Sequence, residues 1–455
     1  MNQEIIQKQK KFPASFWAAN TIELFERAAF YATASFVVIY FHEILGMSPT
    51  FSTFLNGSLL WGLIYFLPIL SGTLADKFGF RRSLSVSFII LSLGYFILGN
   101  VQNIWPKIIG AKAATAIDYS IPVILGILLI GIGGSIVKPC IAGTIQKTSG
   151  TRATLGFGIF YMVINIGSIS GRGVSYFIRT NFGIPAIFTY AATVFALIGL
   201  IIVVFIYREP EYVSDGKKDD QVENKKTLGQ AIAGIFYVLK NIKFVFFLIV
   251  IGLFWFIYVQ IYNLIPLFLR FIDPTAPVEI YTLANPIMIV TFQLIMTKLT
   301  KKWTPIKSIL IGVIITTIGM LINIIPILLF TDIAKKVTLL EIMIPLAGIF
   351  MILSLAAMAV GEMMLSPRMF EYIGAIAPKG EEGLYLGYAN LPIAIGTIVG
   401  SPIGGALFEY FISTPHKNGE PINPIATWLI VGCMGIISMI GLVIYDKFLV
   451  KERES

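Results

Sequence analysis

EPEYVSDGKKDDQVENKK, Glu209–Lys226, is the most polar stretch of the 455-residue chain, and what flanks it decides the architecture. Before it, apolar runs fall near residues 14–44, 51–75, 83–101, 120–146, 153–178 and 184–207. After it, a second set falls near 244–270, 279–299, 306–330, 338–366, 384–411 and 424–449. Each run approaches or exceeds the roughly 20 apolar residues that cross about 30 Å of hydrocarbon. The polar stretch cannot bury itself and predicts a solvated linker. The segment after it, TLGQAIAGIFYVLKNIK, is too short and interrupted to span, and predicts an amphipathic helix lying at the interface.

The expectation is therefore an all-α membrane protein of twelve transmembrane helices in two six-helix halves. Residues 1–207 form the first half, 208–242 a cytoplasmic linker with its amphipathic helix, and 243–455 the second half. Two equal halves joined this way match transporters that rock about a site at the midplane. Hydrophobic residues make up 56% of the chain and charged ones 13%, with a mean hydropathy of +0.82, which excludes a water-soluble domain.

A net charge of +9 would point to nucleic acid in a soluble protein, but here placement matters more than the sum. Most of the 34 Lys and Arg fall in the N-terminus, the even-numbered connections and the C-terminus. By the positive-inside rule both termini are cytoplasmic, in a multi-pass protein of the cell membrane, and the lipid bilayer, not nucleic acid, is the large partner. Lys8, Lys10 and Lys11 precede the first run as in a signal peptide, yet that run carries Glu23, Glu26 and Arg27 and reads as a retained span. Cys140 and Cys433 lie within apolar spans and read as small buried hydrophobes, with no disulfide or metal site. His42 and His416 fall at outer loop ends and read as solvated. With no Ser/His/Asp set, metal-ligand cluster or phosphate-cradling loop, no catalytic residue, metal or cofactor is expected. A monomer is.

Charges inside spans are the sharpest functional signal, because one at the bilayer centre costs on the order of 3 kcal/mol on insertion scales. ELFERAAFY places Glu23, Glu26, Arg27 and Tyr31 on one helical face. One arginine cannot neutralise two carboxylates, so a glutamate here is a candidate proton carrier; the alternative is a static ion network that fixes packing. GIGGSIVKP sets Lys138 in an apolar helix, and AVGEMMLSP sets Glu362 in another. Each is costly alone, and the pair lies in opposite halves, so a Lys138–Glu362 ion pair is the economical expectation. Asn165 and Gln260 could bond a solute or tie helices together. Tyr31, Tyr65, Tyr161, Trp255 and Tyr258 could line a cavity or pack. Arg172 has no assignable partner and could snorkel or pair with a loop.

GTLADKFGFRR, Gly72–Arg82, follows the second span and resembles the major facilitator signature G-x-L-a-D-x-x-G-x-[RK]-[RK]. It assigns Asp76, Arg81 and Arg82 to a gate, where Asp76 can pair with basic groups or a neighbouring helix end.

Taken together these motifs resemble the proton-coupled oligopeptide transporter family, over most of the chain. ELFER matches its E-x-x-E-R, IVKP its fourth-helix lysine motif, and FYMVINIGS, Phe160–Ser168, its F-Y-x-x-I-N-x-G-S at every specified position. GEMMLSP matches the tenth-helix glutamate motif at Glu362, with Ser366 beside it, and LANP resembles the start of the eighth helix. The resemblance implies proton coupling by Glu23, Glu26, Arg27 and Glu362, and a gate with peptide-terminus recognition at Lys138 and Glu362. It also implies a pocket lined by Tyr31, Tyr65, Asn165, Trp255, Gln260 and Ser366.

Several positions depart from the family pattern. Ala28 and Phe30 replace a phenylalanine and a tyrosine after E-x-x-E-R. Ala34 and Val259 replace a charge pair between the first and seventh helices. Losing both avoids an unpaired buried charge, which would cost roughly 3–5 kcal/mol. The implied function is a proton-coupled symporter importing di- or tripeptides or peptide-like small solutes by alternating access. The alternatives are a carrier or exporter of a non-peptide organic or lipid-like solute, and a transport-dead membrane receptor.

Overall fold

The computed structural model describes residues 11–110, 117–210, 228–330, 332–339, 342–377, 385 and 387–450. The polar linker expected from Glu209–Lys226 falls almost wholly outside them.

The chain is helical almost throughout. In order come α1 (Ala14–Ala34), continued after a turn by Val37–Ile44, then α2 (Pro49–Thr73), α3 (Phe80–Ile108), α4 (Ser120–Ser149), α5 (Ala153–Phe182) and α6 (Ile184–Phe205). The short α7 (Leu228–Leu239) stands where the interfacial helix is expected. There follow α8 (Ile242–Ile272), α9 (Val278–Thr300), α10 (Pro305–Leu329), α11 (Leu346–Ile376), α12 (Leu391–Asn418) and α13 (Pro424–Lys447). Local sequence sets several of these starts. Ser48, Thr304 and Asn423 each stand before a proline, and each side chain accepts the backbone N–H three residues on. Proline lacks the N–H that the first turn leaves unsatisfied, so a cap followed by Pro is a strong helix start. Between α2 and α3 the helical chain turns on the single residue Gly79 at φ +87°, open to glycine at little steric cost.

Ten of these helices, among the described residues, are long and apolar enough to cross a membrane, and the broken α1 makes an eleventh. The twelfth expected span is α5, whose 30 residues reach about 45 Å at 1.5 Å per residue. A multi-pass membrane protein with twelve spans, and the short α7 besides, is thus the architecture among the described residues.

Two expectations change. The tenth span was expected to open at residue 338, but 338–339 and 342–345 instead belong to two paired strands, β1 (Lys336–Leu339) against β2 (Ile342–Pro345). The strands are antiparallel, with Val337 opposite Ile344 and Leu339 opposite Ile342. A short apolar run is compatible with either strand or helix, and Pro345, extended at ψ 149°, starts the helix only after it. Cys433 is exposed on its helix, while Cys140 is buried as expected.

The chain groups into two compact units: Met1–Thr33 with Leu67–Ile232, and Ala34–Phe66 with Ala233–Ser455. Within the second unit, residues 34–66 are tied in by polar contacts to distant helices. Ser58 donates to Ile398 O at 2.6 Å, Asn56 to Asn263 Oδ1 at 2.9 Å, and Ser35 and Thr282 hydroxyls meet at 2.9 Å. In an apolar surround such bonds hold segments together because no water competes for them.

Candidate functional site

In the first unit the charged face of α1 is fully inside the protein. Glu23, Glu26 and Arg27 are 0%, 3% and 2% exposed. Arg27 grips Glu26 with two donors, Nη2 to Oε1 at 2.6 Å and Nε to Oε2. Glu23 is held differently. Its Oε1 lies 3.4 Å from the Arg27 Nε, an ion-pair distance, yet neither Glu23 oxygen accepts a hydrogen bond among the described residues. The one guanidinium is therefore committed to Glu26, and Glu23 is the carboxyl left without hydrogen bonds. Lys138 on α4 is close enough to Glu23, Glu26 and Arg27 to interact with each through its charge.

The packing of α5 fixes this cluster in place. A Cβ on Gly167 would stand 2.8 Å from the Arg27 Cβ and from the Leu24 carbonyl, and one on Gly171 would stand 2.4 Å from the Ala28 carbonyl. The glycine of FYMVINIGS is thus the point where α5 lies backbone-close against α1, beneath Arg27. Asn165, in the same motif, is buried and donates to Tyr161 O at 3.0 Å on its own helix. Arg172 is corrected from a snorkelling or loop-paired residue. It is 1% exposed, donates to the Ser168 hydroxyl, and its guanidinium lies 4.8 Å over the Tyr31 ring. Ser168 is one turn back on the same helix, a partner the spacing could have suggested.

In the second unit a polar cluster surrounds Glu362 on α11. The Tyr258 hydroxyl donates to Glu362 Oε2, and Asn285 Nδ2 reaches the Tyr258 hydroxyl at 3.0 Å and Glu362 Oε2 at 3.4 Å. Trp255, one turn before Tyr258, packs edge-on against it at 5.1 Å and is 7% exposed. Its indole N–H has no hydrogen-bond partner among the described residues, nor has the Ser366 hydroxyl one turn after Glu362. A buried carboxylate with two donors, and an N–H and an O–H left without partners on nearby helical turns, are groups with the chemistry to bond a small polar solute. Tyr258 and Asn285 as partners of Glu362 were not foreseen, because residues so far apart in sequence show their contact only in the fold.

Gln260, on the same helix as Trp255 and Tyr258, is wholly buried; its Nε2 donates to Phe256 O and Gly400 O, each at 2.9 Å, while its Oε1 has no hydrogen-bond partner among the described residues. Tyr65 is buried and packs against Trp61 with ring centroids 5.8 Å apart.

At the Gly72–Arg82 turn, the Asp76 side chain lies outside the described residues and Arg82 is exposed. Arg81 donates to Val203 O at 3.3 Å and to Val204 O, capping the end of α6. Glu209, read in sequence only as linker, caps the other way. Its carboxylate accepts Phe80 N–H at 2.7 Å and Arg81 N–H at 3.0 Å, where the dipole of α3 favours negative charge.

Dipeptide and tripeptide permease B of Photorhabdus asymbiotica is 27% identical over 228 residues, 49% of this chain and 42% of that relative. Peptide transporter family 2 of Caenorhabditis elegans is 30% identical over 207 residues, 42% of this chain and 25% of that relative. The matched region thus spans less than half the length of these curated relatives. In fold, the chain is similar to a crystal structure of a POT family transporter in complex with 5-aminolevulinic acid, with a TM-score of 0.72 at 17% identity, covering 96% of this chain and 98% of that one. A POT family transporter in complex with a thioalcohol-conjugated peptide gives 0.69 at 17% identity, covering 95% and 96%. The similarity within the wider group is thus to its peptide-transporter branch. Residues 21–335, well over half of the sequence, match the Major Facilitator Superfamily, and the chain belongs to that superfamily.

Proposed function

We propose that this chain is a proton-coupled symporter that imports di- or tripeptides or peptide-like small solutes by alternating access, a transporter and not an enzyme. The observation that carries the reading is Glu23: a wholly buried carboxyl on α1, beside an arginine whose hydrogen bonds go to Glu26. A carboxyl in that setting can exist neutral as well as charged, so it can take a proton and pass it on. Glu26 and Arg27 hold the counter-charge, and Glu362, with Tyr258 and Asn285, provides a second carboxyl whose hydrogen bonds depend on its charge.

In this reading Lys138 and Glu362 recognise the charged ends of the solute and gate its passage. Tyr31, Tyr65, Asn165, Trp255 and Ser366 shape the pocket, and Asp76, Arg81 and Arg82 serve the gate at the α2–α3 turn. The six-helix halves, 1–207 and 243–455, move about the linker at 208–242, in a monomer with both termini cytoplasmic in the cell membrane. The dipeptide and tripeptide permeases among the relatives support peptides as the solute class.

A second reading is favoured by one feature. Ala34, which is buried, stands where the resembling family carries a basic residue that helps hold a peptide carboxylate, and the buried Val259 stands where it carries that residue's acidic partner. A smaller amino-acid-like solute needs fewer such contacts, and one POT family structure similar in fold holds 5-aminolevulinic acid. Uptake into proteoliposomes from a peptide library and an amino-acid-like set, with and without an imposed pH gradient, tests both. Accumulation of peptides that collapses without the gradient supports the first. Accumulation of only the smaller solutes supports the second, and binding without flux contradicts transport altogether.

A further inference from the structure

Glu23 lies nine residues into α1 from Ala14, about 14 Å along the axis at 1.5 Å per residue, and none of its surface meets solvent. A proton held there needs a polar route out, because packed apolar side chains carry none. Within the first unit, two other buried side chains have an oxygen that makes no hydrogen bond among the described residues. Asn20 stands one turn before Glu23 on the same face of α1; its Nδ2 donates to Phe16 O at 2.9 Å, and its Oδ1 accepts nothing. Ser149 is the last residue of α4, and its hydroxyl is likewise unbonded. A Cβ on Gly156 of α5 would stand 2.1 Å from Ser149 Oγ and 3.4 Å from the Phe16 ring, so the hydroxyl and the ring border one point.

These groups lie in a row. Lys138, which interacts with Glu23 through its charge, is eleven residues before Ser149, and Phe16 is seven residues before Glu23. α1 and α4 therefore run in opposite directions here, and stepping back along α1 or forward along α4 leads to the same end of the unit. Along α1 the step from Glu23 to Asn20 is about 4.5 Å, and from Asn20 to the level of Phe16 about 6 Å. One water, bonding at about 2.8 Å on either side, bridges a gap of that size. Buried water is held where polar atoms otherwise lack partners. Phe16 is wholly buried and Phe12 stacks on it at 4.0 Å, so rings cover the end of the row and keep it from being an open channel.

We propose that Asn20 and Ser149 hold a chain of water by which the proton on Glu23 leaves toward the end where α1 begins, a route that rests on the reading of Glu23 as the proton carrier. Each step breaks one O–H bond and forms another. The Glu23 carboxyl gives its proton to a water bonded to Asn20 Oδ1 and is left as a carboxylate. That water passes a proton to the next, bonded to Ser149 Oγ, and the last releases one to solvent at the α4–α5 turn. Asn20 and Ser149 are positioning residues: their oxygens orient the water, and neither gains nor loses a proton overall.

The test uses proteoliposomes of the full-length protein with labelled alanylalanine, or labelled 5-aminolevulinic acid. The readout is the ratio of initial uptake driven by a pH gradient to counterflow exchange of the same probe. A merely structural lesion lowers both rates and leaves the ratio alone. Asn20→Leu should lower the ratio about tenfold and Ser149→Ala about threefold, the range set by one lost hydrogen bond. Asn20→Ser, which keeps an acceptor, should recover most of the loss. Should Asn20→Leu fail to fold, Ser149→Ala, which removes a single oxygen, is read by the same measure. A lowered ratio in Glu23→Gln with unchanged ratios in Asn20→Leu and Ser149→Ala overturns the route alone, as does equal loss in Asn20→Ser and Asn20→Leu. An unchanged ratio in Glu23→Gln, or uptake of neither probe by the wild type, overturns the reading beneath the route and the route with it.

Discussion

Arg270 holds Glu43 in a forked ion pair, Nε to Oε1 at 3.0 Å and Nη2 to Oε2 at 2.5 Å. The pair joins the continuation of α1, Tyr40–Ile44, to the last turn of α8. These are the two helices on which Ala34 and Val259 replace a charge pair of the resembling family. In this chain a charge link joins the same two helices at Glu43 and Arg270, with the acid on the first. At 29% and 16% exposure the pair is partly solvated, which weakens it. A double-mutant cycle of Glu43→Ala and Arg270→Ala should give a coupling of about 0.5–1 kcal/mol in thermal melts, and the charge-swapped pair should restore most of it. Strictly additive losses would mean the fork contributes nothing.

The contact of α5 with α1 should be intolerant of a single methyl group. Gly167→Ala and Gly171→Ala force a Cβ against backbone and the Arg27 stem, and should each destabilise by about 1–3 kcal/mol. Gly173→Ala on the same helix, with nothing within 4 Å of the added Cβ, should be neutral or slightly stabilising. Melting temperatures of the three variants in one detergent compare them directly. Equal behaviour would remove the glycine from the account of how Arg27 is positioned.

Tyr258 acts through Glu362, so their effects should not add. Tyr258→Phe deletes the hydroxyl that donates to the carboxylate, and Glu362→Gln deletes the acceptor's charge. Each alone should lower uptake, and the double variant should be no worse than the poorer single one. Asn285→Ala, losing the longer 3.4 Å contact, should have the smaller effect. Independent losses for Tyr258 and Glu362 would contradict the cluster.

The β-hairpin gives a pH prediction outside the spans. Asp273 is buried, which opposes its charge, but Thr275 donates from both its N–H and its hydroxyl, and Lys336 lies 3.1 Å away. The donors outweigh burial and hold the carboxyl below its ordinary value of 3.8. A depressed carboxylate contributes stability above its unfolded pKa and loses it as pH falls through the folded one. Hydrogen exchange in the strands 336–339 and 342–345 should therefore be protected at pH 5–7 and lose protection, after correction for intrinsic rates, below about pH 4. Asp273→Asn should remove that pH dependence and lower protection throughout by about 1 kcal/mol.

The sequence made the spans plain because crossing hydrocarbon demands long apolar runs, and those are counted directly. It misread 338–339 and 342–345 because a short apolar run fits a strand or a helix equally, and only the pairing of 336–339 with 342–345 decides. Intramembrane charge was legible at Glu23, Glu26, Arg27, Lys138 and Glu362 for the same reason that made it costly. Partners were harder. Arg172 lies one turn from Ser168, which helical spacing allows, whereas Tyr258 and Asn285 reach Glu362 only through the fold. Gln260 is ambiguous in sequence because a buried amide serves a helix contact as well as a solute; in the fold its Nε2 donates to two carbonyls while its Oε1 has no hydrogen-bond partner among the described residues.

The central claim is that Glu23 carries the transported proton, and counterflow against gradient-driven uptake tests it most directly. In proteoliposomes Glu23→Gln should abolish accumulation driven by a pH gradient while keeping exchange of labelled for unlabelled solute within about threefold of wild type, a change of roughly 0.7 kcal/mol. Full concentrative uptake by Glu23→Gln, at wild-type dependence on the gradient, would contradict the account.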